Sequence, residues 1–293
     1  MEYLATEKTL GAPATVRHFS LDSLGLNQAA TLAHLRSLSV LLEWDEYDEK
    51  LRRLQFLMQK FPEAKPALQA FMPAYYAGEV GPSELLNYIA MLGEADRFTF
   101  EQIRPRRKRS IAKMRLSRML DGWSILRLPA PEYRQNVGTG DVRATVRKFK
   151  EMSPLITKNP LMQAFIMKVA EMVAEVRPDA TQLEMTHHRM YAVGDVMAPG
   201  DNAPEGAHQD GADFIVSAMV ISRHDVIGAE SIVCNEAGDE VYLQHPLQAG
   251  EGIFQADTGS PLWHDVTPIQ YDPSTPTLDG FRDIIGLDIN LLS

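Results

Sequence analysis

Residues 205–222 read EGAHQDGADFIVSAMVIS, and the stretch has two halves. Glu205 to Asp213 is polar and glycine-bearing, and it is entered from a loop holding Pro199, Gly200 and Pro204. From Phe214 to Ser222 the residues are apolar or small and rich in Val and Ile, which reads as a buried strand. Polar side chains at the mouth of such a strand are where a ligand site belongs. His208 and Asp210 stand two residues apart in the polar half. On extended backbone such residues point the same way, so an imidazole and a carboxylate can grip one metal ion together.

Working outward, the chain from Gln182 onward keeps this β character. Leu183–Val193, Glu230–Asn235, Glu240–Gln244, Gly252–Ala256 and Phe281–Leu291 are strand candidates, and Glu236-Ala237-Gly238 reads as a hairpin turn. Short strands at this spacing suggest a sandwich or barrel rather than βαβ units. No glycine-rich phosphate loop follows a strand, which disfavours a nucleotide fold.

Before Val176 the chain reads as helices. Asn159 and Pro160 are a good cap and first position for a helix whose Leu161, Phe165, Val169, Met172, Val173 and Val176 share one face. Helical spacing also marks residues 23–42, 44–61 and 82–92. These suggest a helical extension over residues 1–120, ahead of a β-rich domain over 121–293. The run 104–118 holds eight Lys/Arg and is expected to be a solvated or dimer-facing helix. It lacks the interleaved aromatics of a nucleic-acid surface.

Composition narrows the function classes. Among 293 residues, 29 Lys+Arg face 39 Asp+Glu, and the net charge of −10 argues against a nucleic-acid or anionic-membrane binder. No segment approaches about 18 uninterrupted apolar residues, and the first nine lack a secretory pattern. The single cysteine, Cys234, forms no internal disulfide, so a cytoplasmic home is expected. A homodimer is left open.

A metal site needs a third ligand. Of the eight histidines, only His208 belongs to a His-x-Asp triplet. His264 is the best third candidate, because it follows the strand Gly252–Ala256. Two histidines and one carboxylate on one face of an octahedral ion leave three positions open, which suits non-haem Fe(II) oxygen chemistry. A closed zinc site would prefer cysteines. Arg282 lies 18 residues past His264 in an otherwise apolar strand, so an inward-facing guanidinium would need an anion. Its alternative is a surface pair with Asp283 or Asp265.

Five separated elements then carry a family resemblance. They are Glu205-Gly206-x-His208-Gln209-Asp210-Gly211, the hairpin over 228–243, and Gly250-Glu251-Gly252 with Asp257-Thr258. The last two are His264-x-Val266-Thr267-Pro268-Ile269 and Gly280-x-Arg282-Asp283. From about residue 180 onward the chain resembles the iron(II)/2-oxoglutarate dioxygenases that include the L-isoleucine 4-hydroxylases. The resemblance implies an α+β fold, a double-stranded β-helix (jelly-roll, cupin-like) with supporting helices. It implies Fe(II), 2-oxoglutarate and O2, with His208, Asp210 and His264 as iron ligands. Arg282 would bind the distal carboxylate of 2-oxoglutarate, and Thr258 falls beside the same co-substrate. The implied reaction is hydroxylation, desaturation or ring closure at an unactivated C–H bond, with succinate and CO2 released. Retention of Asp210 speaks against halogenation, since related halogenases carry glycine there.

The implied substrate is a small amino acid or similar metabolite. Glu205 is a candidate for its ammonium. Arg127 is a candidate for its carboxylate, with Arg134 and Arg189 behind it, and Trp263 is a candidate pocket wall. His187 and His188 are adjacent, face opposite ways on a strand, and read as non-ligands. Two alternatives remain: a cupin-like metal-dependent hydrolase or isomerase using the same ligands, and a non-catalytic binding protein.

Overall fold

The computed structural model describes residues 15–130, 132–137, 142–195, 199–200, 206–277 and 279–292. The first half holds β1 (Val16–Ser20), α1 (Gln28–Ser37), β2 (Glu43–Trp44), α2 (Glu46–Lys60), α3 (Lys65–Ala77), α4 (Leu86–Met91), α5 (Glu94–Glu101), β3 (Arg107–Met119) and β4 (Gly122–Leu128). Then come α6 (Pro154–Thr157), α7 (Pro160–Val176), β5 (Gln182–Asp195), β6 (Phe214–His224), β7 (Val226–Gly228), β8 (Ser231–Cys234) and β9 (Val241–His245). The chain closes with β10 (Glu251–Ala256), β11 (Trp263–Val266), β12 (Ile269–Tyr271) and β13 (Asp279–Leu291).

The architecture is mixed helix and antiparallel sheet. Eight strands form one large sheet in the order β1-β10-β6-β13-β5-β3-β2, with β4 also paired to β3. Smaller sheets hold β11-β8-β9 and β12-β7. Alternation along the long strands gives the large sheet two apolar faces. On one, Met185, Ile285, Leu287 and Ile289 meet Leu32 and Leu35 of α1 and Phe165, Val169 and Val173 of α7. On the other, Ala218, Val220, Ile253 and Ile284 meet Val233 of the three-stranded sheet.

Helix α7 starts as its sequence dictates. Asn159 accepts a hydrogen bond from the Leu161 N–H at 2.9 Å, and Pro160 sits in the first turn. Helix α2 is capped by Asp45, which accepts from Tyr47 N at 2.9 Å, and Glu46, Asp48 and Glu49 favour its positive end. Helices α2 to α5 enclose a core of their own that includes Leu54, Leu57, Leu68, Tyr75 and Phe100. They dock on β3 through an Asp45–Arg107 ion pair at 2.9 Å and an Arg106 N–H donated to Asp48 at 2.6 Å.

Two expectations are corrected here. The basic run over 104–118 supplies a strand, β3, not a helix. Ala112, Met114 and Leu116 alternate with Lys113, Arg115 and Ser117, and the first three are buried in the core beneath α7. The expected boundary at residue 120 therefore falls in the turn of the β3–β4 hairpin, and β1, β2 and β3 all belong to the large sheet. The separately cored helical part is α2 to α5.

His187 is fully buried on the helix-facing side of β5, and among the described residues neither ring nitrogen has a hydrogen-bond partner. Burial, with the nearby charges of His188 and Arg189, pushes its pKa down to about 3. The unfolded chain therefore binds one more proton between that value and about 6.5, so stability is lost as pH falls through this window. The slope expected from this one group is about 1.4 kcal/mol per pH unit. Denaturant unfolding of His187→Leu between pH 7 and 5 should show a shallower acid loss than the wild type; equal slopes would rule His187 out as the source.

Candidate active site

His208 and His264 come from segments far apart in sequence that are stitched together by backbone. His208 N donates to His264 O at 2.9 Å, and His264 N donates to His208 O at 3.0 Å. This places the two rings 4.2 Å apart between centroids. Asp210 reaches both: its carboxylate oxygens lie 3.5 Å from His208 Nε2 and 3.3 Å from His264 Nε2. His208 Nδ1 lies 2.8 Å from the Gly206 carbonyl, which suits a proton on Nδ1 and leaves Nε2 as the lone-pair nitrogen facing Asp210. Burial would raise the Asp210 carboxyl, but the charges and hydrogen bonds of His264 and His208 outweigh it and hold it well below the usual carboxylate range.

The loop carrying Asp210 is fixed by its neighbours. The fully buried Asp257 carboxylate accepts from Asp210 N at 2.9 Å, Gly211 N at 2.9 Å and Ala212 N at 3.1 Å. Burial and the adjacent Asp210 charge push Asp257 up to about 6, against the opposing pull of His264 and the Ala212 N–H. The Gln209 amide points away from Asp210 and donates to the carbonyls of Asp257, Ser260 and Leu262. Gly211 sits at φ +88°, and a Cβ there would collide with the Asn136 carbonyl, so only glycine fits after the aspartate. Gln135 donates its amide to Asp210 Oδ1.

The three side chains open into a cavity of about 320 Å³. Alternate residues of β13, Arg282, Ile284, Gly286 and Asp288, form its floor, with His188 and Met190 of β5 beside them. Tyr47, Leu51, Gln55 and Met58 of α2, and Gln69, Met72 and Tyr76 of α3, wall the other side. Arg282 is 1% exposed. Its Nη2 donates to Ser231 Oγ at 3.1 Å, and its Nε has no hydrogen-bond partner among the described residues. Burial and the nearby Arg223 cation pull its pKa down to about 9.

Among the described residues, two groups of three His/Asp/Glu bring donor atoms within 4.8 Å of one another. One is His208, Asp210 and His264; the other, His18, His245 and Glu251, is at the edge formed by β1, β9 and β10, outside the cavity. Two imidazole nitrogens and a carboxylate are the donor set of a six-coordinate ion with open positions. A buried guanidinium with an unpartnered Nε in the same cavity fits a carboxylate. The residues present therefore fit both Fe(II) and 2-oxoglutarate.

The structure places the other expected site residues differently. Thr258 is exposed and off the cavity: its N–H goes to Ala212 O, in a turn that closes the Asp257 loop. Trp263 alternates with His264 along β11 and so faces away from the cavity. Arg127 is held by Glu151 at 2.8 Å and Thr157 at 2.7 Å, outside the cavity. Arg134 is exposed, and Arg189 is buried on the helix face against Asp283 at 2.8 Å. Glu205 lies outside the described residues. His187 and His188 do face opposite ways, and His188 lines the cavity, with its Nε2 2.9 Å from Asp288. Sequence reading missed Arg109 and Arg147, which both line it. The alternation in β3 was the available signal for Arg109; Arg147 had none.

Removing the Asp257 carboxylate would strand three backbone donors in a buried loop. Asp257→Ala is expected to cost about 3 kcal/mol or more in denaturant unfolding. A change below about 1 kcal/mol would mean that other acceptors take over those N–H groups.

No curated protein matches the chain. Among solved structures it resembles a bsmA homolog from Methylobium petroleophilum PM1, with a TM-score of 0.53 and 23% identity over 64% of this chain and 72% of that one. It also resembles IDO from Bacillus thuringiensis, with a TM-score of 0.51 and 19% identity over 64% of this chain and 79% of that one. At these identities the likeness is one of fold. The model of the 2OG-Fe dioxygenase family matches residues 94–288, from α5 to β13, and includes His208, Asp210, His264 and Arg282. On that match, which spans well over half of its length, the chain belongs to the 2OG-Fe dioxygenase family, oxidoreductases that work with Fe(II), 2-oxoglutarate and O2.

Proposed function

We propose that His208, Asp210 and His264 hold the iron, that Arg282 receives the distal carboxylate of 2-oxoglutarate, and that the substrate is a small amino acid or related metabolite. One observation carries the reading: the convergent triad and a deeply buried guanidinium with an unpartnered Nε open into the same cavity. When bound, the iron and its co-substrate supply oxidative decarboxylation to succinate and CO2, coupled to oxidation of a substrate C–H bond. The family match sets aside the hydrolase and binding-protein alternatives. The large sheet facing β11-β8-β9 supports reading the β-rich part as a double-stranded β-helix.

The protein's own part is binding, orientation and exclusion of water. Reciprocal backbone bonds fix the separation of His208 and His264, and Asp257 and Gln135 fix Asp210. A ligand set held this way needs little reorganisation when the ion enters. Arg282 is fixed by Ser231, so its fork is already aimed when the co-substrate arrives. The α2 and α3 side chains cover the cavity and shield the reacting carbon from solvent. Among the described residues no helix is long and apolar enough to cross a membrane, and Cys234 is a buried free thiol. Both suit the reducing cytosol we assign to it.

Substrate-dependent succinate release with Fe(II) and O2 should disappear in His208→Ala and in Asp210→Ala, and on chelation of the metal. Wild-type turnover in both variants would sink the ligand assignment. Arg282→Ala should raise the 2-oxoglutarate KM by roughly 30-fold or more, the scale for truncating one partner of a buried charged hydrogen bond. An unchanged KM removes Arg282 from that role. A mass shift of the product distinguishes oxygen insertion from loss of two hydrogens.

A further inference from the structure

Besides Arg282, four arginines line the cavity, Arg107, Arg109, Arg143 and Arg147, and two of them share one aromatic platform. Arg109 and Arg147 rest on the same two aromatic rings: Arg109 is 5.4 Å from the Tyr133 centroid and 4.3 Å from that of Phe149, and Arg147 is 5.4 Å and 5.7 Å from them. Arg147 is only 7% exposed, and the Nε atoms of both arginines are buried without a hydrogen-bond partner among the described residues. Among the described residues, Arg109 makes a polar contact with His188 Nδ1 at 3.0 Å, and Arg147 with Gln135 Oε1 at 3.1 Å and Arg143 O at 3.3 Å. Among the described residues no carboxylate pairs with either, whereas their neighbour Arg107 is paired with Asp45. Asp288 meets Arg109 through His188 rather than directly. Two like charges held together at a cavity wall, with no carboxylate in direct contact among the described residues, are costly unless an anion completes them.

The place of this pair matters. One side-chain amide, Gln135, joins Arg147 to Asp210. On the solvent side the wall is α2 and α3, with Leu51, Met58 and Met72. These helices precede residue 94, where the family match begins.

We propose that Arg109 and Arg147 form a second anion subsite that takes the carboxylate of the substrate, whose apolar body lies against the methionines of α2 and α3. The proposal rests on the assignment of the triad and Arg282 given above. It makes the substrate a small aliphatic acid held by its carboxylate, distinct from the co-substrate acid at Arg282. It also gives the helical part a task, which is to shape the substrate end of the cavity.

The test uses the full chain loaded with Fe(II) and 2-oxoglutarate. Aliphatic L-amino acids, their primary carboxamides and their phosphonate analogues are offered, and succinate release and product mass are followed. At least one acid should be oxidised, with its carboxamide poorer by roughly 100-fold or more in kcat/KM. Arg109→Gln and Arg147→Gln should each raise the KM for that acid by about 10-fold or more while 2-oxoglutarate binding is kept. The ligand-free variants should unfold within about 5 °C of the wild type or above it, since an uncompensated cation is removed.

A carboxamide or phosphonate oxidised as well as the acid overturns the proposal. So does a panel in which no acid is oxidised or raises the unfolding temperature of the loaded protein. Variants that unfold far below the wild type with an unchanged KM overturn it as well, and assign the pair to packing. Wild-type protein that fails to bind 2-oxoglutarate with Fe(II) would instead remove the parent assignment, and this proposal with it.

Discussion

Thirteen consecutive residue pairs join β13 to β5, and that register decides what each neighbouring side chain faces. Side chains alternate along both strands, so a one-residue slip of β13 would send Ile285 and Leu287 into the cavity and Arg282 and Ile284 under the helices. Burial on both faces makes such a slip prohibitive. The strands that carry chemistry build on this pair. β3 adds to the free edge of β5 and brings Arg107 and Arg109 to the cavity side, while β6 adds to β13 and leads back to the loop of His208. The triad of His208, Asp210 and His264 is thus assembled at one end of a frame whose geometry is set by hydrophobic burial.

The same alternation sorts two adjacent charges to opposite fates. Asp283 points to the helix side and is bound to Arg189, which also reaches the Leu35 carbonyl and Ser39. Arg282, one residue earlier, points into the cavity, where among the described residues it donates to the Ser231 hydroxyl and to no carboxylate. A paired ion in the interior is close to neutral for stability, whereas an unpaired one is a cost carried by the rest of the fold. The cavity concentrates costs of that kind: Arg282, Arg109 and Arg147 lie there, while Asp210 faces His208 and His264, and Asp288 faces His188.

Much of this was legible in the sequence where the signal was local. The Asn159-Pro160 start and the spacing of Phe165, Val169 and Val173 give α7, and β5, β6, β8, β9, β10 and β13 follow from runs of β-branched residues. The His208-x-Asp210 spacing and the isolation of Arg282 in an apolar strand point to the cavity. What stayed hidden depends on contacts between distant segments. Strand β3 was masked because its arginines and lysines look like a solvated helix face, although their long stems cover apolar surface. Arg127 looked free until folding brought Glu151 to it. Arg147 acquires meaning only through Tyr133, Phe149 and Gln135, none of which advertises a site.

The helices α2 and α3 touch the sheet through a few polar anchors, Asp45 to Arg107 and Asp48 to the Arg106 amide, and keep a core of their own. Residues that shape the outer wall, such as Gln55, Met58 and Gln69, can therefore be exchanged without moving a strand or a triad side chain. The supports of the triad and the far wall of the cavity thus belong to separately packed parts of the chain, so a substitution in α2 or α3 would alter what the cavity admits before it disturbs Asp257 or the His208–His264 backbone bonds.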